Sequence, residues 1–141
     1  MPKTQSPVLA ALSFYGETPI AGPQSNGQIQ QFLAAAGLPA DSADEVPWCS
    51  AFLVYIFQQC GKPVAANAAA ISWLNVGKET TDPVMGDIVV FAWPPEAITH
   101  HHVGIFIREI ANDVYVLAGN QDNTVDIALW KKADVISYRR V

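Results

Sequence analysis

The sequence predicts one α+β domain, with helices in the first half packed on an antiparallel sheet made by the second. Three observations predict it. Apolar residues recur at helical spacing as far as about residue 75. From Pro83 onward the chain changes to runs rich in Val, Ile and Phe. Half of the 141 residues are hydrophobic and 15% are charged, which is enough to build a core and excludes wholesale disorder. The length suits a single domain over residues 1–141, without a repeat, a low-complexity tract or a linker.

The elements follow in order. Residues 6–15 (SPVLAALSFY) form a first helix, with Ser6 as its cap and Pro7 at its first position. Gly16 to Gly22 is a turn-rich break. Asn26 opens a second helix, in which Ile29, Phe32, Leu33 and Ala36 share a face, and Gly37 closes it. Residues 38–47 are a polar loop. A third helix runs from about Trp48 to Cys60. Its residues Ala51 to Phe57 are apolar nearly all round, so it is buried on most sides. A shorter helix is expected at Ala66–Asn75. Strands are expected at Asp87–Trp93, Val103–Glu109, Val114–Gly119, Val125–Leu129 and Val135–Arg139, with Ala111-Asn112-Asp113 as a hairpin turn.

Charge and cysteine usage exclude several classes. A net charge of -5 and a pI of about 4.9 do not suit sequence-independent nucleic-acid binding. No apolar run is long enough to span a membrane, and the polar, proline-bearing N-terminus is not a secretory signal. Synthesis in the cytoplasm without a leader is therefore expected. Cys49 and Cys60 lie on one predicted helix, roughly 16 Å apart, so they cannot bridge. No short-spaced ligand set for zinc occurs, and neither a metal nor a cofactor is expected.

The chemistry gathers where the two halves meet. Cys49 opens the third helix, where free N–H groups and the helix dipole stabilise a thiolate; this is a nucleophile's position. Cys60, at the far end, lacks that field. A base must come from His100, His101 or His102. His102 begins a strand, whose alternation sets His102, Gly104 and Phe106 on one face and Val103, Ile105 and Ile107 on the other. A third group should orient the imidazole. Asn120 stands where a neighbouring antiparallel strand presents a side-chain carbonyl, with Gln121 and Asp122 as rivals.

Taken as a set, these residues resemble a small bacterial and phage family related to the NlpC/P60 and CHAP cysteine peptidases. The run Asp44-Glu45-Val46-Pro47-Trp48-Cys49-Ser50-Ala51-Phe52 is similar to that family's nucleophile motif. Ser72-Trp73-Leu74-Asn75, Gly86–Phe91, His102-Val103-Gly104, Val116–Gln121 and Tyr138-Arg139 then follow in the family's order, so the likeness covers about residues 25–140. It departs at Ala118, where the family has a glycine and CHAP enzymes often an acid, and in the length of the His run.

The resemblance implies a papain-like α+β fold and hydrolysis of a cell-wall amide bond, by an endopeptidase or an N-acetylmuramoyl-L-alanine amidase. Cys49 would be the nucleophile, held as a thiolate beside protonated His102, and Asn120 the orienting group. Trp48, Ser50, Trp73 and Gln121 would contact the substrate, the peptide stems of peptidoglycan. A thiol acyltransferase and a non-catalytic wall-binding module are the alternatives. A monomer is expected. The low charge and the absence of a leader further imply dependence on a delivery apparatus or fusion partner, or pairing with an immunity protein.

Overall fold

The computed structural model describes residues 6–17, 27–37, 48–92, 101–121 and 124–141. Three helices come first: α1 (Pro7–Leu12), α2 (Gly27–Ala35) and α3 (Cys49–Gln59), followed by a 3₁₀ helix at Ala70–Asn75. Six strands follow: β1 (Lys78–Thr80), β2 (Ile88–Ala92), β3 (His101–Ile110), β4 (Asp113–Gln121), β5 (Thr124–Lys131) and β6 (Val135–Arg140). They form one sheet in the order β1-β6-β2-β3-β4-β5, with every neighbouring pair antiparallel. The fold is α+β, helices before strands, as the sequence predicts.

The differences are local. α1 stops at Leu12 rather than residue 15, where the Ser13 hydroxyl donates to the Ala10 carbonyl at 2.6 Å and loosens the last turn. Ser6 is extended but makes no side-chain cap, so the fixed φ of Pro7 starts the helix alone. The expected helix at 66–75 shrinks to the 3₁₀ turn, because Asn67 Oδ1 takes the Ala69 N–H at 2.8 Å and diverts the backbone. β1 is polar and three residues long, too short to leave a pattern. Gly37 closes α2 with φ +87° as expected. Asn26, the loop 38–47 and Trp93 lie outside the described residues.

The sheet has two buried faces. Val103 and Ile105 of β3, with Ile107 at the margin, pack with Leu117 and Val125 under α3, where Phe52, Leu53, Ile56 and Phe57 fill the core. Phe14 and Phe32 cross the Phe52 and Tyr55 rings edge-on and join α1 and α2 to this layer. The other face holds Val89, Phe91, Phe106, Val114, Val116 and Ala118, covered by Trp130, Val135 and Tyr138. All of these residues come from strands. The sheet curls until Trp130 of β5 stacks on Phe91 of β2 at 5.0 Å, although β3 and β4 lie between them. Among the described residues no helix is long and apolar enough to cross a membrane.

Candidate active site

Cys49 is the first residue of α3 and is 5% exposed. Both of its neighbours are locked. The Trp48 ring stacks on Phe32 at 6.1 Å and lies over Gly119, where a Cβ would come within 2.6 Å of the indole. Ser50 takes the Trp73 Nε1–H at 2.8 Å and donates to the Asn67 carbonyl at 2.5 Å. The start of α3 is thereby held against β3. The backbone N–H groups of Val103, Ser50 and Cys49 itself lie close to the sulfur and favour its charged form. Burial pushes the thiol pKa up, and those three donors pull against it.

His102 precedes Val103, so its backbone adjoins the donor to the thiol. Its ring, however, is 3% exposed and lies on the face of the sheet away from α3 and Cys49, inside the curl, stacked on Trp130 at 4.5 Å and on Phe91 at 6.3 Å. Its Nε2 meets Gln121 Oε1 at 3.1 Å. Burial pushes the imidazole pKa down to about 4, the bond to Gln121 opposing it. No hydrogen bond joins Cys49 to His102, and neither enters the other's titration. The structure does not bring the expected thiolate–imidazolium pair together: the His102 ring lies on the face of the sheet away from α3, and burial disfavours the charged form of each group.

The third group also differs from expectation. Gln121, not Asn120, reaches the His102 ring. Strict alternation sets Val114, Val116, Ala118 and then Asn120 on the face of His102. The β4–β5 register, however, shifts between Ala118 and Gln121, and Asn120 adopts φ +60°. Such a bulge adds one residue to the strand and hands the inward position to the next side chain. Asn tolerates the left-handed conformation that this requires.

The remaining expected contacts sort clearly. Trp48, Ser50 and Trp73 are fully enclosed, so they support the helix start and do not wall a substrate groove. Trp48 packs on Phe52 and Trp73 on Phe57, and the Trp73 indole N–H is taken by Ser50. His101 is half-buried at the start of β3. His100, Asp44, Glu45 and Asp122 lie outside the described residues. Cys60, at the far end of α3, is a buried free thiol. Sequence reasoning missed Trp130 and Asp126, which both meet Gln121. Their shared alternation on β5 was a usable signal, but the strand was expected to end at Leu129, one residue short of Trp130.

Comparison with known families matches residues 41–120 to the CHAP domain. Comparison with the curated proteins finds no match. Among solved structures, one similar chain is a protein from Staphylococcus aureus subsp. aureus Mu50, described as similar to lipoprotein and of the NLP/P60 family. It superposes with a TM-score of 0.56 at 19% identity, over 98% of this chain and 41% of that one. Two others are variants of the resuscitation promoting factor interacting protein RipA. The variant mutated at a histidine gives TM-score 0.61 at 16% identity, over 97% of this chain and 61% of that one. The variant mutated at a cysteine gives 0.57 at 15%, over 96% and 59%. The likeness is one of fold, and the chain spans about two-fifths to three-fifths of these structures' own lengths.

Proposed function

Because the chain belongs to the CHAP domain family, we propose that it is a peptidoglycan hydrolase that cuts a cell-wall amide bond through Cys49. The observation that carries this reading is the placement of the Cys49 thiol: at the start of α3, beside the backbone N–H of Val103, on the face of β3 that alternation gives also to His101. It is supported by the NLP/P60 description of a protein with the same fold. In this reading Cys49 is the nucleophile, and the base is His101, which alternation on β3 sets on the Val103 face beside α3, in place of the expected His102, whose ring faces the other way. The substrate is a peptide stem of peptidoglycan, and the protein works at the cell wall.

The chemistry then runs as acyl transfer to water. A carbonyl seated over the start of α3 meets the sulfur. His101 takes the thiol proton as the carbon–sulfur bond forms. The Cys49 N–H, at the free end of the helix, stabilises the oxyanion. The imidazolium passes its proton to the leaving amine as the carbon–nitrogen bond breaks. Water, deprotonated by His101, then releases the acyl group and restores the thiol.

Purified protein should solubilise peptidoglycan sacculi, and mass spectrometry of the fragments should identify the bond. Cys49→Ala should lower the rate by at least about a thousandfold while the circular dichroism spectrum stays native. An alanine variant that lyses walls as well as the parent would sink this reading.

A further inference from the structure

The two edges of the sheet differ. β1 is three residues long, Lys78-Glu79-Thr80, and polar, which is how natural sheets blunt an edge. β5 is eight residues long, holds no proline, and among the described residues has a strand neighbour on one side only, β4. Its first outward backbone groups are covered. The Val125 carbonyl accepts the Gly16 N–H at 2.8 Å, and the Val125 N–H donates to the Glu17 carbonyl at 2.9 Å. Outward groups recur at every second residue of an antiparallel strand, so those of Ile127, Leu129 and Lys131 face the same edge. Ile127 and Leu129 are 38% and 52% exposed. Exposed apolar side chains beside a row of outward N–H and C=O groups form a template for a further strand.

The pattern of β5 fits a second copy of itself. Gly16 and Glu17 occupy the edge at Val125, so the stretch left for pairing is 127–131. The antiparallel register that uses all of it sets Leu129 against Leu129 of the second copy. Ile127 then lies opposite the second copy's Lys131, whose aliphatic stem can cover it. On the other face of the pair, Ala128 comes opposite the second copy's Trp130, small against large. Asp126 comes opposite the second copy's Lys132, acid against base. Each relation occurs twice, as a two-fold axis at Leu129 requires. The blunted β1 offers no second point of growth, so pairing closes at two copies and does not extend into a fibre.

We propose that β5 is a homodimerisation edge, through which two copies of this chain pair antiparallel along Ile127–Lys131 and join their six-stranded sheets into one. This replaces the monomer expected from the sequence and does not depend on how Cys49 acts. The paired stretch is short, so the dimer is weak and forms with rising concentration.

Sedimentation of the full chain from about 5 to about 500 µM should show the mass rising from 15.2 kDa towards twice that value. Leu129→Lys sets like charges against each other on the axis and should hold the chain at one copy throughout, with a native circular dichroism spectrum. The register is read by thiol cross-linking, since Cys49 and Cys60 are both buried. Leu129→Cys puts two Cα atoms roughly 5.5 Å apart across the axis and Ile127→Cys about 14 Å apart, so a linker of about 8 Å reach separates them. Leu129→Cys should give at least about tenfold more cross-linked dimer than Ile127→Cys. A parent chain that stays monomeric to the top of the range overturns the proposal and leaves the edge to a different chain. So does a dimer that Leu129→Lys leaves intact, or equal cross-linking at the two positions. If Leu129→Lys does not fold, the two cysteine variants carry the comparison with the same outcomes. None of these readouts needs turnover, so the result stands apart from the enzymatic reading that Cys49→Ala decides.

Discussion

His102 illustrates what burial does to a single residue. Its imidazole sits near pKa 4 when folded and near 6.5 when unfolded. Between those values the unfolded chain binds the proton and the folded one does not, so stability falls as pH drops through this window and is flat above it. The loss should reach about 3 kcal/mol by pH 4. Urea denaturation at about pH 7 and pH 4.5 should show the decline, and His102→Gln should remove this part of it. A parent protein equally stable at both values would contradict the buried neutral ring. The same burial explains why Cys49 and His102 rest uncharged: the start of α3 favours a thiolate, but its field does not outweigh the cost of removing the sulfur from water.

Among the elements, the end of β4 decides the site's layout. Gly119 faces α3 and Trp48 fills the space where its side chain would be, so the strand and the helix start approach each other closely. Gly119→Ala would drive a methyl to 2.6 Å from the indole and 3.0 Å from Phe52 Cβ. Neither neighbour has room to yield, since both are fully buried. The variant should lose about 2 kcal/mol or more in denaturant unfolding and lower activity by displacing Cys49 from Val103. One residue on, Asn120 takes the left-handed bulge and Gln121 turns inward. Sequence reasoning favoured Asn120 at this point, with Gln121 and Asp122 as rivals, and the structure turns Gln121 to the His102 ring. Alternation is a period-two rule, and a bulge inverts it without a mark of its own in the pattern.

At the scale of the whole molecule, two long-range ties close the sheet. Trp130 on Phe91 curls β5 towards β2 and encloses the His102 ring. At the opposite end Arg140 of β6 holds Asp87, just before β2, through two bonds of 3.0 and 2.7 Å. Burial would raise the Asp87 carboxyl, but the guanidinium and the Val84 N–H hold it below its usual range. This pairing contributes stability above the carboxylate range and loses it as pH falls through the folded pKa. Arg140→Ala leaves the Asp87 carboxylate without its counter-charge and should lower stability at neutral pH, less in acid. Equal stability of the variant and parent at neutral pH would show that solvent replaces the guanidinium.

By itself the sequence determined the order of helices and strands, the position of Cys49 at a helix start, and the division of β3 into a His102 face and a Val103 face. Those features follow from local rules: helical spacing, strand alternation, and the punctuation of Gly and Pro. The tertiary structure decided which partner meets the ring, why Trp48, Ser50 and Trp73 are supports and not a groove, that the His102 ring faces away from α3, and that burial disfavours the charged forms of Cys49 and His102. Each of these depends on groups distant in sequence. Trp130 stacks on His102 from two strands away, Gly119 admits Trp48, and the burial that sets the two pKa shifts belongs to the closed core. No spacing within one segment encodes how far a sheet curls, and the curl is what turns a strand histidine into an enclosed one.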